Sequence, residues 1–150
     1  MSVWVCVPVT RSIESLPGWA TDLVAEARVA RLGLLDEDGA PRVLPITYAV
    51  CDGAIWSAVD DHKPKRTAEP ARVRRLRERP EAAVTIDRYD DDWSRLAWVQ
   101  ALGRIDVVDA AARPDALAAL AARYPQYAER SPCGPLLALR VERITCWTAG

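Results

Sequence analysis

Two Asp-Gly turns separate three runs of β-forming residues in the first half of the chain. The runs cover residues 29–35, 42–50 and 54–59, and the turns contain Gly39 and Gly53. An Asp-Gly pair favours a tight reversal because glycine adopts a positive φ without steric cost. The pattern therefore predicts an antiparallel β-meander.

Three further runs with strand character follow, at residues 82–86, 95–108 and 136–147. The second of them contains Gly103, where we expect a bulge or a bend. Helices are predicted over residues 17–28, 71–79 and 114–123. Six mostly antiparallel strands with small inserted helices predict a mainly β fold, a six-stranded barrel, because closing a sheet removes its exposed edges. An open α+β sandwich is the alternative.

The composition is that of an ordinary globular chain. It has 150 residues, of which half are hydrophobic and 27% charged, and its formal net charge is −1. We expect an N-terminal extension over residues 1–15 and a single domain over residues 16–150. A charge so close to zero gives no reason to expect nucleic acid or an anionic membrane as a partner.

Cysteine and histidine are sparse and dispersed. The four cysteines form no C-x-x-C pair and the one histidine is distant from all of them, so no metal site is expected. The cysteine spacing suggests no disulfide framework, which fits a cytoplasmic location. Residues 1–9 are apolar, but the run is too short to span a membrane and lacks the positive start of a signal peptide.

Pro45 interrupts the second strand run. A proline removes one donor from a β-ladder, so its presence predicts an edge, a bulge or a bend. A bend at that point would leave neighbouring backbone N–H and C=O groups free to pair with a planar heterocycle.

A dense group of cations follows the third strand run, over residues 63–77. Pro64 favours extended backbone between its two flanking lysines. Cations at the end of a strand and the start of a helix could hold phosphate or carboxylate groups. The alternative is a solvated basic helix.

Common catalytic and nucleotide-binding motifs are missing from the sequence. There is no G-x-G-x-x-G after a strand, no P-loop and no G-x-S-x-G elbow. His62, beside the lysines, is either an incidental surface residue or a catalytic residue. From these residues alone, we predict a small β-barrel with an anion-binding site and no assigned reaction.

Several blocks of the sequence resemble a known family. They are residues 28–32, 42–47, 59–67 with H-K-P-K-R-T, 89–96 with Y-D-D-D-W, 123–127 and 147–149. In this order and spacing they are similar to actinobacterial proteins of the pyridoxamine-phosphate-oxidase-like split-barrel superfamily. The similar proteins are those grouped as probable deazaflavin (coenzyme F420)-dependent enzymes.

The resemblance implies a six-stranded, FMN-binding type of split barrel that forms a homodimer with two cofactors at its interface. It implies a set of ring-contacting residues, Leu44, Pro45, Ile46, Thr47, Ser57, Ala58 and Val59. It implies a phosphate end formed by Lys63, Lys65, Arg66, Thr67 and Arg72. The region containing Trp93 and Trp98 in the partner subunit would cover the ring.

The function implied is an F420-dependent oxidoreductase that transfers a hydride from the reduced cofactor to an electron-poor small molecule. F420 carries a phosphodiester and a polyglutamate tail, so the many cations favour it over FMN. His62 and Tyr89 are candidates for a proton donor. The alternatives are an FMN-dependent oxidase or reductase of the same fold and a non-catalytic flavin or deazaflavin carrier.

Overall fold

The computed structural model describes residues 8–59 and 69–150, and it is mainly β. The strands are β1 (Val9–Thr10), β2 (Ala30–Leu35), β3 (Pro41–Ile46), β4 (Ala49–Cys51), β5 (Ala54–Ala58), β6 (Glu81–Arg88), β7 (Ala97–Val108) and β8 (Leu136–Thr148). The helices are α1 (Gly18–Glu26), α2 (Ala71–Glu78), α3 (Pro114–Arg123) and α4 (Pro125–Glu129).

All strands belong to one antiparallel sheet. Its order is β3-β2-β6-β7-β8-β5-β4, and β1 pairs separately with β8. The predicted meander turns are present, with φ of 79° at Gly39, 52° at Asp52 and 69° at Gly53. The positive φ at both Asp52 and Gly53 is the pattern of a type I′ hairpin, which confirms the Asp-Gly prediction at that turn.

The prediction of a mainly β, antiparallel split barrel with small helices is confirmed, whereas the count of six strands and the closure of the sheet are wrong. The sheet has eight strands, because Val9–Thr10 adds one and the predicted second strand divides at Thr47 and Tyr48 into β3 and β4. No β-ladder joins β3 to β4 within residues 8–59 and 69–150, so the sheet is a split barrel and not a closed one.

The division of that strand dictates the curvature of the sheet. β3 and β4 lie at opposite ends of a seven-strand path, which would be about 28 Å wide if it were flat. Three peptide steps, from Ile46 to Ala49, reach only roughly 10 Å. The sheet must therefore curl until its two ends meet at the Thr47–Tyr48 bend.

The edge position offered by the sequence for Pro45 and the irregularity expected at Gly103 are both present. Pro45 lies on β3, which is a terminal strand of the path, and it pairs with Arg31 of β2. Among the described residues β3 has no strand on its outer side, so a proline there removes no ladder bond on that side. The register of β7 against β8 shifts between Leu102 and Gly103, which confirms the predicted bulge.

The main core fills the inside of the curled sheet. α1 contributes Leu23 and Val24, and α2 contributes Val73 and Leu76 to the same cluster. A second cluster lies where α3 covers β4 and β5, with Trp56 and Leu120 among its buried members. α3 begins and ends where the sequence predicts, whereas α1 and α2 are shorter than predicted. Within the described ranges, no helix is long and apolar enough to cross a membrane.

Candidate cofactor site at the split of the barrel

Three tyrosines surround the bend between β3 and β4. The hydroxyl of Tyr124 lies 3.1 Å from the backbone nitrogen of Tyr48, and the hydroxyl of Tyr48 donates a 2.6 Å hydrogen bond to the carbonyl of Val24. The ring of Tyr127 packs edge-on against Tyr124, with centroids 5.7 Å apart. Burial raises the pKa of Tyr48 to about 12 because the charged phenolate would be poorly solvated there.

Two arginines fix the same region from outside. The Arg123 guanidinium donates to the carbonyls of Ala25 and Ala27 at the end of α1, and it lies 4.8 Å from the Tyr48 ring centroid. Arg28 lies 4.8 Å from the ring centroid of Tyr124. A cation near the free carbonyls at a helix C-terminus is favourable, so these contacts attach the bend to α1 and α3.

The residues predicted at the ring end on β3 do not share one face. Pro45 is exposed and Thr47 is half-buried, whereas Leu44 is partly buried against the core and Ile46 is buried within it. The Thr47 hydroxyl lies 2.8 Å from that of Tyr127. A ligand on this edge would therefore meet Pro45, the Thr47 hydroxyl and backbone groups.

The end of β5 lies next to the same split. Ser57, Ala58 and Val59 are all buried. The ladder between β4 and β5 ends at the pair Ala49 and Trp56, so the β5 edge beyond it has no strand partner among the residues described. Each of the three is buried as a whole residue, backbone included, so one chain does not expose them at this edge.

The predicted phosphate end lies partly outside the described residues. This applies to His62, Lys63, Lys65, Arg66 and Thr67. Val59 before this segment and Glu69 after it are described, and they connect it to β5 and to the start of α2.

Arg72 is the predicted phosphate contact that the structure does describe. It is half-buried in the first turn of α2 and makes no hydrogen bond or ion pair with a described residue. The arginines that follow it are engaged: Arg75 with Glu37, Arg77 with Glu69, and Arg74 with the Glu69 carbonyl. The Arg75 guanidinium donates to the Glu37 carboxylate, and this hydrogen bond lowers the pKa of Glu37.

The start of α2 offers further donors. Its N-cap is Pro70, which provides no side-chain hydrogen bond, and its first turn contains no acidic residue. The first N–H groups of a helix lack intrahelical partners and carry partial positive charge. An anion beside Arg72 would therefore meet cationic and N–H donors together.

The aromatic residues predicted to cover the ring lie elsewhere on the same chain. Trp98 is half-buried on β7, opposite Asp87 of β6 and Trp147 of β8. It lies three strands from Pro45, a separation of about 14 Å at normal strand spacing. Trp93 and Tyr89 are each 70% exposed. One chain therefore does not bring Trp93 and Trp98 onto the ring edge of β3.

The sequence reasoning missed the roles of Arg123, Tyr124 and Tyr127. A signal was available, since Arg-Tyr-Pro-x-Tyr places two tyrosines on either side of the start of a short helix. Their contacts with the bend span more than 70 residues of sequence, so this pattern marks the two tyrosines without showing what they contact.

The residues of the split fit a phosphorylated heterocycle better than a metal ion. The exposed terminal strand β3 and a hydroxyl pair suit a planar ring, and an arginine without a partner among the described residues, at a helix start, suits a phosphate. Within residues 8–59 and 69–150, no three His, Cys, Asp or Glu side chains group as metal ligands.

Solved structures with the same fold include several ligand-binding proteins. A conserved hypothetical protein from Mycobacterium tuberculosis superposes with a TM-score of 0.73 at 19% identity, over 93% of this chain and 88% of the other. A FAD-binding protein from Mesorhizobium loti superposes with a TM-score of 0.64 at 18% identity, over 95% of this chain and 97% of the other. HutZ, the heme storage protein from Vibrio cholerae, superposes with a TM-score of 0.65 at 12% identity, over 85% of this chain and 90% of the other.

Sequence comparison supplies the family. No protein of curated function matches the chain significantly. The family model described as pyridoxamine 5′-phosphate oxidase matches residues 18–148, nearly the whole described domain. With the split-barrel topology and the structural relatives, this match means that the chain belongs to the pyridoxamine 5′-phosphate oxidase family.

Proposed function

We propose that this protein is an F420-dependent oxidoreductase that reduces an electron-poor small molecule. The observation that carries the proposal is Arg72, an arginine without a described partner in the first turn of a helix that has no acidic residue there. It lies six positions after Arg66, in the same basic stretch of sequence as Lys63 and Lys65. These cations suit a cofactor with a phosphodiester and an acidic tail.

The roles of the chain follow from where its residues lie. When bound, reduced F420 supplies the hydride, so the protein needs to bind, orient and shield it. The exposed backbone edge of β3 and the Thr47 hydroxyl orient the ring, and Arg72 with the preceding cations holds the phosphate. His62 and Tyr89 remain candidate proton donors for the acceptor molecule.

A homodimer is part of the proposal. The outward face of β3, β2, β6 and β7 carries apolar residues, among them Val43, which is 71% exposed, and Leu102. The helices pack elsewhere, since α1 and α2 contribute to the inner core and α3 covers β4 and β5. A second copy on this face would bury its apolar residues and could bring its Trp93 or Trp98 over the ring.

Two alternatives are supported by the relatives. The Mesorhizobium loti relative is named as FAD-binding, which keeps an FMN- or FAD-dependent oxidase or reductase under consideration. HutZ is named as a heme storage protein, which keeps a non-catalytic cofactor carrier under consideration.

The first experiment compares cofactors. Purified protein is titrated with F420, FMN, FAD and haem while absorbance and fluorescence are recorded, and hydride transfer from reduced F420 is assayed with a panel of enones and quinones. We expect F420 to bind most tightly and to be oxidised by at least one acceptor. Tight binding of FMN or FAD without binding of F420 would contradict the proposal. Binding of F420 without hydride transfer would favour a non-catalytic carrier protein.

A second experiment tests the phosphate end. We expect Arg72→Gln, and the double substitution Lys65→Ala with Arg66→Ala, to weaken F420 binding, most strongly at low salt where charge is least screened. Arg77→Gln is the matched control because Arg77 already pairs with Glu69 at 2.8 Å. Equal affinities for all three variants and the wild type would mean that the basic segment is only a solvated surface.

A further inference from the structure

We propose that Tyr127 is a positioning residue for the ring of the bound cofactor, acting through Thr47. The inference rests on the proposed cofactor site, and it gives Tyr127 a role that neither the sequence blocks nor the family assignment provides. Thr47 belongs to the bend, whereas Tyr127 lies 80 positions later in α4. Their hydroxyl oxygens are nevertheless only 2.8 Å apart.

The hydroxyl pair has one donor to spare. Two hydroxyl groups carry two hydrogens, and the bond between them uses only one. The other can donate to a third group. Both side chains are half-buried, so the pair is neither sealed in the core nor surrounded by solvent. It therefore presents a directed hydrogen-bond donor beside the exposed Pro45.

Tyr127 is held in place at both its ring and its backbone by contacts with Tyr124. The Tyr127 ring packs edge-on against Tyr124, at an interplanar angle of 72°, and Tyr124 is itself buried and hydrogen-bonded to Tyr48. The backbone N–H of Tyr127 donates to the Tyr124 carbonyl at 2.9 Å. Because the ring and the backbone of Tyr127 are both fixed, the hydroxyl is positioned before any ligand binds, which reduces the entropy cost of binding.

The chemistry of the ring supplies the acceptor. The pyrimidine end common to FMN and F420 carries carbonyl oxygens, which accept hydrogen bonds. A threonine hydroxyl alone rotates freely, but one that is bonded to a fixed tyrosine has its hydrogen direction set. In the bound state the Tyr127 hydroxyl donates to the Thr47 oxygen, which leaves the single Thr47 hydrogen to donate to the ring carbonyl.

The test uses three variants of the full chain and whichever of F420 or FMN the wild type binds. We expect Thr47→Val to weaken binding about tenfold and Tyr127→Phe about threefold, the range for one lost or misdirected hydrogen bond. Both should shift the absorption maximum of the bound cofactor. Thr47→Ser keeps the hydroxyl, so it should restore the wild-type maximum and most of the affinity.

The control is Tyr48→Phe, which removes a hydroxyl at the same bend that donates into the core, to the carbonyl of Val24. It should lower thermal stability without moving the spectrum of the bound cofactor. If the wild type binds and Thr47→Val and Tyr127→Phe leave spectrum and affinity unchanged, the inference is overturned while the proposed function survives. A wild type that binds neither cofactor overturns both.

Discussion

The hydroxyl of Tyr124 lies 3.1 Å from both the backbone nitrogen and the backbone oxygen of Tyr48. It also lies 2.9 Å from the carbonyl oxygen of Arg28. A phenol has one hydrogen, so this hydroxyl accepts from the Tyr48 N–H and donates to one of the two carbonyls. One side chain of α3's C-cap thereby holds the bend at which the sheet is split.

Replacing Tyr124 by phenylalanine tests this anchor. The substitution leaves the buried Tyr48 N–H without an acceptor, so we expect the free energy of unfolding to fall by about 1–3 kcal/mol. Urea unfolding followed by tryptophan fluorescence measures it. Tyr127→Phe is the matched control, because that hydroxyl is half-exposed and contacts a side chain, and its cost should stay below about 1 kcal/mol. Equal losses would contradict the assigned role.

The elements with local signals could be predicted from the sequence. The type I′ turn at Asp52 and Gly53 depends on glycine's tolerance of positive φ, and the limits of α3 depend on prolines at 114 and 125. In each case the deciding residues lie within or beside the element. The bulge at Gly103 was predictable for the same reason.

The division of the second strand could not be located from the sequence. Pro45 indicated an irregularity, but the ladder continues through it and the chain leaves β3 only after Ile46. The bend is held by Tyr124, which lies 76 positions away. The orientation of Leu44 into the core and of Pro45 to the outside is likewise set by the curl of the whole sheet.

Gly103 should not tolerate a side chain. A Cβ there would overlap the backbone oxygen of Arg140 and lie 2.9 Å from its carbonyl carbon, both parts of the β8 backbone. Because backbone atoms cannot rotate away, we expect Gly103→Ala to lower the free energy of unfolding by about 1–3 kcal/mol. Gly18→Ala is the control: a Cβ there meets nothing within 4 Å at the start of α1. It should be neutral or stabilising by up to about 1 kcal/mol.

The buried hydroxyl of Tyr48 should make stability fall at high pH. Burial raises its pKa from 10.0 to about 12 in the folded chain. A raised folded pKa means that the stabilisation is fully present below pH 10 and is lost as pH rises toward 12. Unfolding by urea at pH 8 to 11.5 should show a decline in wild type that is smaller in Tyr48→Phe. Parallel curves for the two proteins would show that Tyr48 does not titrate differently on folding.

The outward face of the sheet should govern assembly. Leu102 lies on the exposed side of β7, beside Ala83 of β6, with Val43 two strands further along. If a second copy covers this face, Leu102→Glu buries an unpaired charge and should convert a dimer to a monomer in light scattering coupled to size-exclusion chromatography. Cofactor binding should weaken with it, because the proposed site uses both subunits. Val50→Glu, on β4 and so outside the face formed by β3, β2, β6 and β7, is the control and should remain dimeric. A monomeric wild type, or a dimer that survives Leu102→Glu, would exclude this face as the interface.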